Sequence, residues 1–175
     1  MTGRGKRGII LTGMPGCGKS TCGVLVAKFL CLSFEDTDLS LQTREKLPLQ
    51  KIIDQKGREY FAAAEEKTLL QTAVDGKCIA TGGSAVYYEG AMERFKNGGF
   101  VVYLKISYGE MLKRIGDFSS RGILLGEGET LGDMFAFREA LYEKYADIII
   151  DCDGFSPAQT AQAIARAVRE RGFEE

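Results

Sequence analysis

The stretch Gly8–Thr21, GIILTGMPGCGKST, constrains this chain more than any other segment of it. An apolar run, Ile9-Ile10-Leu11, leads into Gly13-x-x-x-x-Gly18-Lys19-Ser20, and an amphipathic stretch follows. The order is a strand, a glycine-rich loop and a helix. Glycines at Gly13, Gly16 and Gly18 permit backbone angles closed to other residues, so successive N–H groups can converge on an anion. The start of the helix adds a partial positive charge. In this pattern the lysine, Lys19, reaches the β- and γ-phosphates of ATP, and the hydroxyl of Ser20 ligates Mg²⁺. Gly13, Gly16, Gly18, Lys19, Ser20 and Thr21 are therefore the candidate nucleotide-binding residues. A chance match in a glycine-rich chain is the competing explanation, and the strand–loop–helix setting weighs against it.

Apolar runs go on alternating with helix-like segments, the pattern of an α/β fold with a mostly parallel sheet. The spacing predicts strands at Gly8–Thr12, Leu32–Asp36, Lys77–Thr81, Phe100–Lys105 and Asp147–Asp151, each short and apolar as strands covered on both faces should be. Helices are expected near Lys19–Leu30, Leu49–Val74, Tyr108–Ile115, Leu131–Tyr145 and Ser156–Arg171, the last with Ser156 as N-cap and Pro157 at its first position. Gly116–Gly132, GDFSSRGILLGEGETLG, has no sustained period and reads as a mobile loop. With 175 residues, no repeat and no Pro- or Ser-rich linker, a single domain over residues 1–175 is expected.

Several chemistries drop out. Histidine is absent, which removes His general bases, His-based triads and most zinc sites. The net charge of −1 leaves no electrostatic footprint for nucleic acid or an anionic membrane, so neither is expected as a partner. No run approaches the ~18 apolar residues that span a bilayer. Cys17, Cys22, Cys31, Cys78 and Cys152 form no C-x-x-C pair, and their odd number fits free thiols in a reducing compartment. A cytoplasmic protein is the expectation.

FEDTDLS places Asp36 and Asp38 at the end of the second expected strand. Ligands of open α/β sheets bind beyond the carboxyl ends of strands, so both carboxylates should face the phosphate loop. Asp36 is the candidate for the Mg²⁺ shell, through water. Asp38 is the candidate to orient an acceptor hydroxyl for in-line attack, since phosphoryl transfer leans mainly on positioning and charge stabilisation. The bland alternative is that Asp38 merely caps a short following helix; for Asp36, capping is the less expected role.

Taken with these motifs, later segments make the chain resemble the shikimate kinases, within the P-loop group of nucleoside-monophosphate-kinase-like enzymes. The resemblance runs from about Ile9 to the C-terminal helix. KIIDQKGREYFAAAE is similar to the family's acceptor-site helices, with Phe61 and Glu65 in matching places. ATGGSAV resembles the strand end where Gly82 and Gly83 face the acceptor. RIGDFSSRGILL matches the adenine-side arginine (Arg114) and the lid arginine (Arg121). REALYEKYADIIID resembles the segment whose arginine, here Arg138, grips the substrate carboxylate, and Pro157 matches a residue that helps enclose adenine. The resemblance implies a three-layer α/β/α P-loop kinase fold with a five-stranded parallel sheet, acceptor-binding helices over about 37–74 and a mobile lid over about 116–132. It also implies a monomer that transfers the γ-phosphoryl group of ATP to shikimate, with Lys19, Asp38 and Arg121 in the catalytic roles.

The pattern breaks at Phe61-Ala62, where the family usually has Phe-Arg, the arginine being a second partner of the substrate carboxylate. Hydrogen bonds to charged groups contribute about 1.5–3 kcal/mol each, so the loss would weaken acceptor binding substantially. Three explanations stay open: shikimate held by Arg138 and another cation, with Arg58 one turn away as a weak candidate; a different polyol acid such as a gluconate-type substrate; or a relative that binds nucleotide and catalyses little. Ser84 replaces a third glycine, and Gly122-Ile123 follows Arg121 where proline is usual.

Overall fold

The computed structural model describes residues 7–116, 123 and 125–173. Five parallel strands form one sheet in the order β2-β3-β1-β4-β5: β1 (Gly8–Thr12), β2 (Ser33–Asp36), β3 (Lys77–Ala80), β4 (Gly99–Lys105) and β5 (Ile148–Asp151). Burial accounts for the order. Every residue of β1 is buried, and so is all of β4 except Lys105. The edge strands are different: β2 has no buried residue and β5 only Ile148. The expectation of strands covered on both faces thus fails at the two edges, where β-branched and polar residues meet solvent.

The helices are α1 (Lys19–Phe29), α2 (Thr37–Glu45), α3 (Leu49–Lys56), α4 (Arg58–Gln71), α5 (Glu89–Gly98), α6 (Tyr108–Ile115), α7 (Leu131–Tyr145) and α8 (Pro157–Glu170), with a single 3₁₀ turn at Ala85–Tyr87. Ser156 caps α8 through a reciprocal pair with Gln159, as the sequence suggests, and Thr130 caps α7 likewise with Asp133. The single helix expected over Leu49–Val74 is two. Gly57, with φ of 86°, ends α3 and starts α4 in a conformation that side chains disfavour. The short helix expected after FEDTD is α2, which buries only Thr37 and Leu41, whereas α5, with a short face of Ala91, Met92 and Phe95, is a helix that periodicity does not disclose. α7 begins at Leu131 as expected, and within the expected loop Gly116–Gly132 a turn closes from the Glu129 N–H to the Gly126 carbonyl.

Most apolar side chains join one core around β1, β4 and α1. A second, small cluster of Leu41, Ile52, Phe61 and Ala64 holds α2, α3 and α4 together. Among the described residues no helix is long and apolar enough to cross a membrane.

Candidate active site

A cleft of about 580 Å³ opens at the carboxyl ends of β1, β2 and β3. It brings together Gly16, Gly18, Lys19, Ser20, Thr21, Asp38, Gly82, Gly83, Arg114 and Arg138 of the sequence-derived set, with Glu65 and Ser84 beside them. Gly13, Asp36 and Pro157 are not part of its lining. Gly13 is buried where the loop leaves β1, and Pro157 opens α8 on an exposed stretch. Arg121 lies outside the described residues, as do the other lid positions 117–120, 122 and 124.

The phosphate loop is held by main chain. Gly13, Gly16 and Gly18 take φ of 146°, 78° and 97°. A Cβ on Gly13 would stand 2.7 Å from the Leu104 carbonyl oxygen, and one on Gly16 would press on Ile115 and Arg114 at 3.2 and 3.3 Å. The loop therefore turns tightly over β4 and α6, and only glycine permits it. Lys19, 9% exposed, donates from Nζ to the carbonyls of Gly13 (2.7 Å) and Met14 (2.9 Å). Arg114 is tied to Glu110, at 2.7 Å.

Asp36 does more than the sequence suggests. Its Oδ1 accepts from the N–H groups of Asp38 (2.9 Å) and Leu39 (3.2 Å), so Asp36, and not Asp38, caps α2. Its Oδ2 accepts from the Ser20 hydroxyl at 2.6 Å. A hydroxyl and a carboxylate side by side are oxygen donors of the kind Mg²⁺ takes, usually with water and phosphate completing its shell. Among the described residues no group of three or more carboxylates and thiols could cage a metal alone.

Freed from capping, Asp38 turns into the cleft. A Cβ on Gly82 would lie 2.7 Å from Asp38 Oδ1 and 2.8 Å from Glu65 Oε1, so the two carboxylates converge over a glycine with no side chain to separate them. Burial, then the charges of Glu65 and Asp36, push Asp38 up to about 7, opposed by Lys19. Glu65, 4% exposed, is also raised by burial. Its Oε1 accepts from the Ser84 hydroxyl (2.6 Å) and its Oε2 from the Tyr88 hydroxyl (2.8 Å), and both bonds favour the ionised form. Gly82 and Gly83 are pinned on either side: the Gly82 N–H donates to Thr37 Oγ1 at 3.2 Å, and the Tyr142 hydroxyl donates to the Gly83 carbonyl at 2.6 Å.

Arg138, 2% exposed, enters from α7 and donates from Nε to the Tyr87 hydroxyl at 2.8 Å. Its guanidinium lies over the Tyr87 ring, 5.1 Å from the centroid. Arg58 does not take the place of the missing arginine. It is exposed and donates from Nη1 to the Leu125 carbonyl, away from the cleft lining. The contributions of Tyr87 and Tyr88 escape sequence reasoning because tyrosines after a glycine run look like core or surface aromatics.

The family model described as Shikimate kinase matches residues 15–169. Shikimate kinases of Pseudomonas aeruginosa and Moorella thermoacetica are 36% and 37% identical to this chain, each over 93% of it and over 96% and 92% of their own lengths. Among solved structures, shikimate kinase from Acinetobacter baumannii in complex with shikimate superposes with a TM-score of 0.86 at 26% identity, covering 96% of both chains. That from Aquifex aeolicus gives 0.79 at 29%, over 93% of this chain and 96% of its own. With the family model matched over most of the chain, relatives above one-third identical and the same five-stranded parallel fold, this chain belongs to the shikimate kinase family.

Proposed function

We propose that this chain transfers the γ-phosphoryl group of ATP to a hydroxyl of shikimate. The observation that carries the reading is the convergence of Asp38, Glu65 and Arg138 on Gly82 and Gly83, in the same cleft as Lys19. One end can bind polyphosphate and the other offers a carboxylate for a hydroxyl and a guanidinium for an acid.

Lys19 exchanges its two carbonyl partners for phosphate oxygens and neutralises charge as it develops. Ser20 and Asp36 would hold Mg²⁺, which supplies charge neutralisation on the phosphates. Asp38 aligns the acceptor hydroxyl; its basicity, raised by burial and by Glu65, suits it to take the hydroxyl proton as the new O–P bond forms. Arg138 grips the acceptor carboxylate, Arg114 lines the nucleotide end, and Arg121 closes over the transferring group. Pro157 beside the adenine and a lid that moves over the cleft belong to the same reading, as do a single-domain monomer and a cytoplasmic setting, the last supported by five free thiols.

A second acceptor class, sugar acids of the gluconate type, is favoured by one observation: Arg58 is engaged with Leu125 and does not take the place of the arginine absent at Ala62. The two readings separate when the purified chain is given ATP, Mg²⁺ and, in turn, shikimate, quinate and gluconate, with ADP release and product mass recorded. Shikimate should gain one phosphoryl group. Phosphorylated gluconate with untouched shikimate would overturn the assignment, and ATP binding without acceptor-dependent ADP release would make the chain a nucleotide-binding relative.

A further inference from the structure

Ser84, Tyr87 and Tyr88 place three hydroxyls between the two opposite charges of the acceptor pocket. Ser84 and Tyr88 together satisfy both oxygens of Glu65, and the Tyr87 hydroxyl accepts a hydrogen bond from Nε of Arg138. Glu65 and Arg138 are both buried and each feels the field of the other, yet no ion pair joins them. That is unusual chemistry. A buried carboxylate and a buried guanidinium sharing one cleft ordinarily find each other, because a direct charge-assisted pair satisfies both at once. Here the 3₁₀ turn at Ala85–Tyr87 sets consecutive phenols on opposite partners.

The consequence lies in what Arg138 has left to offer. Its Nε is engaged and its plane lies over the Tyr87 ring, which itself leans on Phe137 at 5.9 Å between centroids. Nη1 lies 2.9 Å from where a Cβ on Gly83 would stand, the same point that is 3.3 Å from Pro15 Cδ of the phosphate loop. The terminal nitrogens therefore face the seam between the phosphate and acceptor ends.

We propose that Tyr87 is a positioning residue that holds Arg138 by its Nε edge and presents the terminal nitrogens to an acceptor carboxylate, while Ser84 and Tyr88 keep Glu65 from capturing that guanidinium. The turn thus sets selectivity for anionic over neutral acceptors. The inference rests on the acceptor being a carboxylate-bearing polyol.

The test uses Tyr87→Phe, which keeps the ring and removes the hydroxyl; Tyr87 is 40% exposed, so the loss leaves no buried void. The KM for shikimate should rise about five- to tenfold, with kcat within about twofold and the KM for ATP unchanged. Affinity for shikimate methyl ester, which carries no charge, should not move. In a Glu65→Gln background, where the Glu65 carboxylate no longer competes for Arg138, the effect of Tyr87→Phe should largely vanish. Tyr88→Phe, which frees one oxygen of Glu65, should reproduce the selective rise. An unchanged shikimate KM, an equal loss for acid and ester, or an undiminished effect in the Glu65→Gln background would each overturn the inference while leaving the kinase reading intact. A wild-type protein that does not bind shikimate at all would remove the acceptor assignment and this inference with it.

Discussion

At one end of the cleft Lys19 rests on the main-chain carbonyls of Gly13 and Met14; at the other, Glu65 and Arg138 rest on side-chain hydroxyls from Ser84, Tyr88 and Tyr87. The first arrangement is backbone geometry. Its loop is wedged between the Leu104 carbonyl and α6, and it belongs to the main core. The second is assembled from side chains on α2, α4, α7 and the Ala85–Tyr87 turn, and two of those elements, α2 and α4, lean on a cluster of only four buried apolar residues. A site made of backbone has almost no freedom to vary. A site made of side chains can trade one partner for another, as Ala62 and Ser84 illustrate, without disturbing the phosphate end.

That contrast can be broken most severely at Lys19. Lys19→Ala should lower kcat by about a thousandfold, the scale of losing a preorganised charge stabiliser, with a far-UV spectrum and melting temperature close to wild type. A collapse of the fold instead would mean the lysine holds the loop together and is not reserved for phosphate. Next comes Gly82→Ala. Its methyl would sit within 2.8 Å of both Asp38 and Glu65, so the shikimate KM should rise about a hundredfold while ADP affinity stays within twofold.

Ala62→Arg sharpens the comparison from the other side. Adding a cation near Glu65 should lower the shikimate KM about tenfold, one charged hydrogen bond's worth, and leave the ATP KM alone. Unchanged acceptor kinetics would mean the pocket does not need the second arginine.

The smallest expected effect is on stability. Asp38 titrates near 7 in the fold against an ordinary 3.8, so between those values the native state holds a proton that the unfolded chain releases. Stability is therefore at its full value below about pH 4 and declines as pH rises through 7. Asp38→Asn removes that cost. It should stabilise the protein by roughly 1–2 kcal/mol at pH 8, a part-exposed fraction of the full shift, and by almost nothing at pH 4, while abolishing turnover. Melting curves at the two pH values decide it. Equal melting of variant and wild type at pH 8 would mean Asp38 carries no strain.

The same contrast explains what the sequence discloses. The phosphate end is written as glycines at fixed spacing, because only glycine adopts those angles, and so β1, the loop and α1 can be read directly. The acceptor end is not written locally. Asp36 and Asp38 look equivalent in FEDTD, and only the path of the chain into α2 makes Asp36 the cap and leaves Asp38 free. Tyr87 and Tyr88 acquire meaning only when α4 and α7 bring Glu65 and Arg138 to them. Gly57 splits one expected helix in two because a single positive φ outweighs a continuous apolar pattern. The start of α7 at Leu131 is legible, because Thr130 and Asp133 form a capping box that any reading of the sequence can find.

The two ends are held by separate devices, and calorimetry on two variants tests this most directly. Lys19→Ala and Gly82→Ala are each titrated with Mg²⁺–ADP and with shikimate. A crossed result is expected: Lys19→Ala loses the nucleotide and keeps shikimate, and Gly82→Ala does the reverse. Either substitution weakening both ligands by the same factor would contradict it.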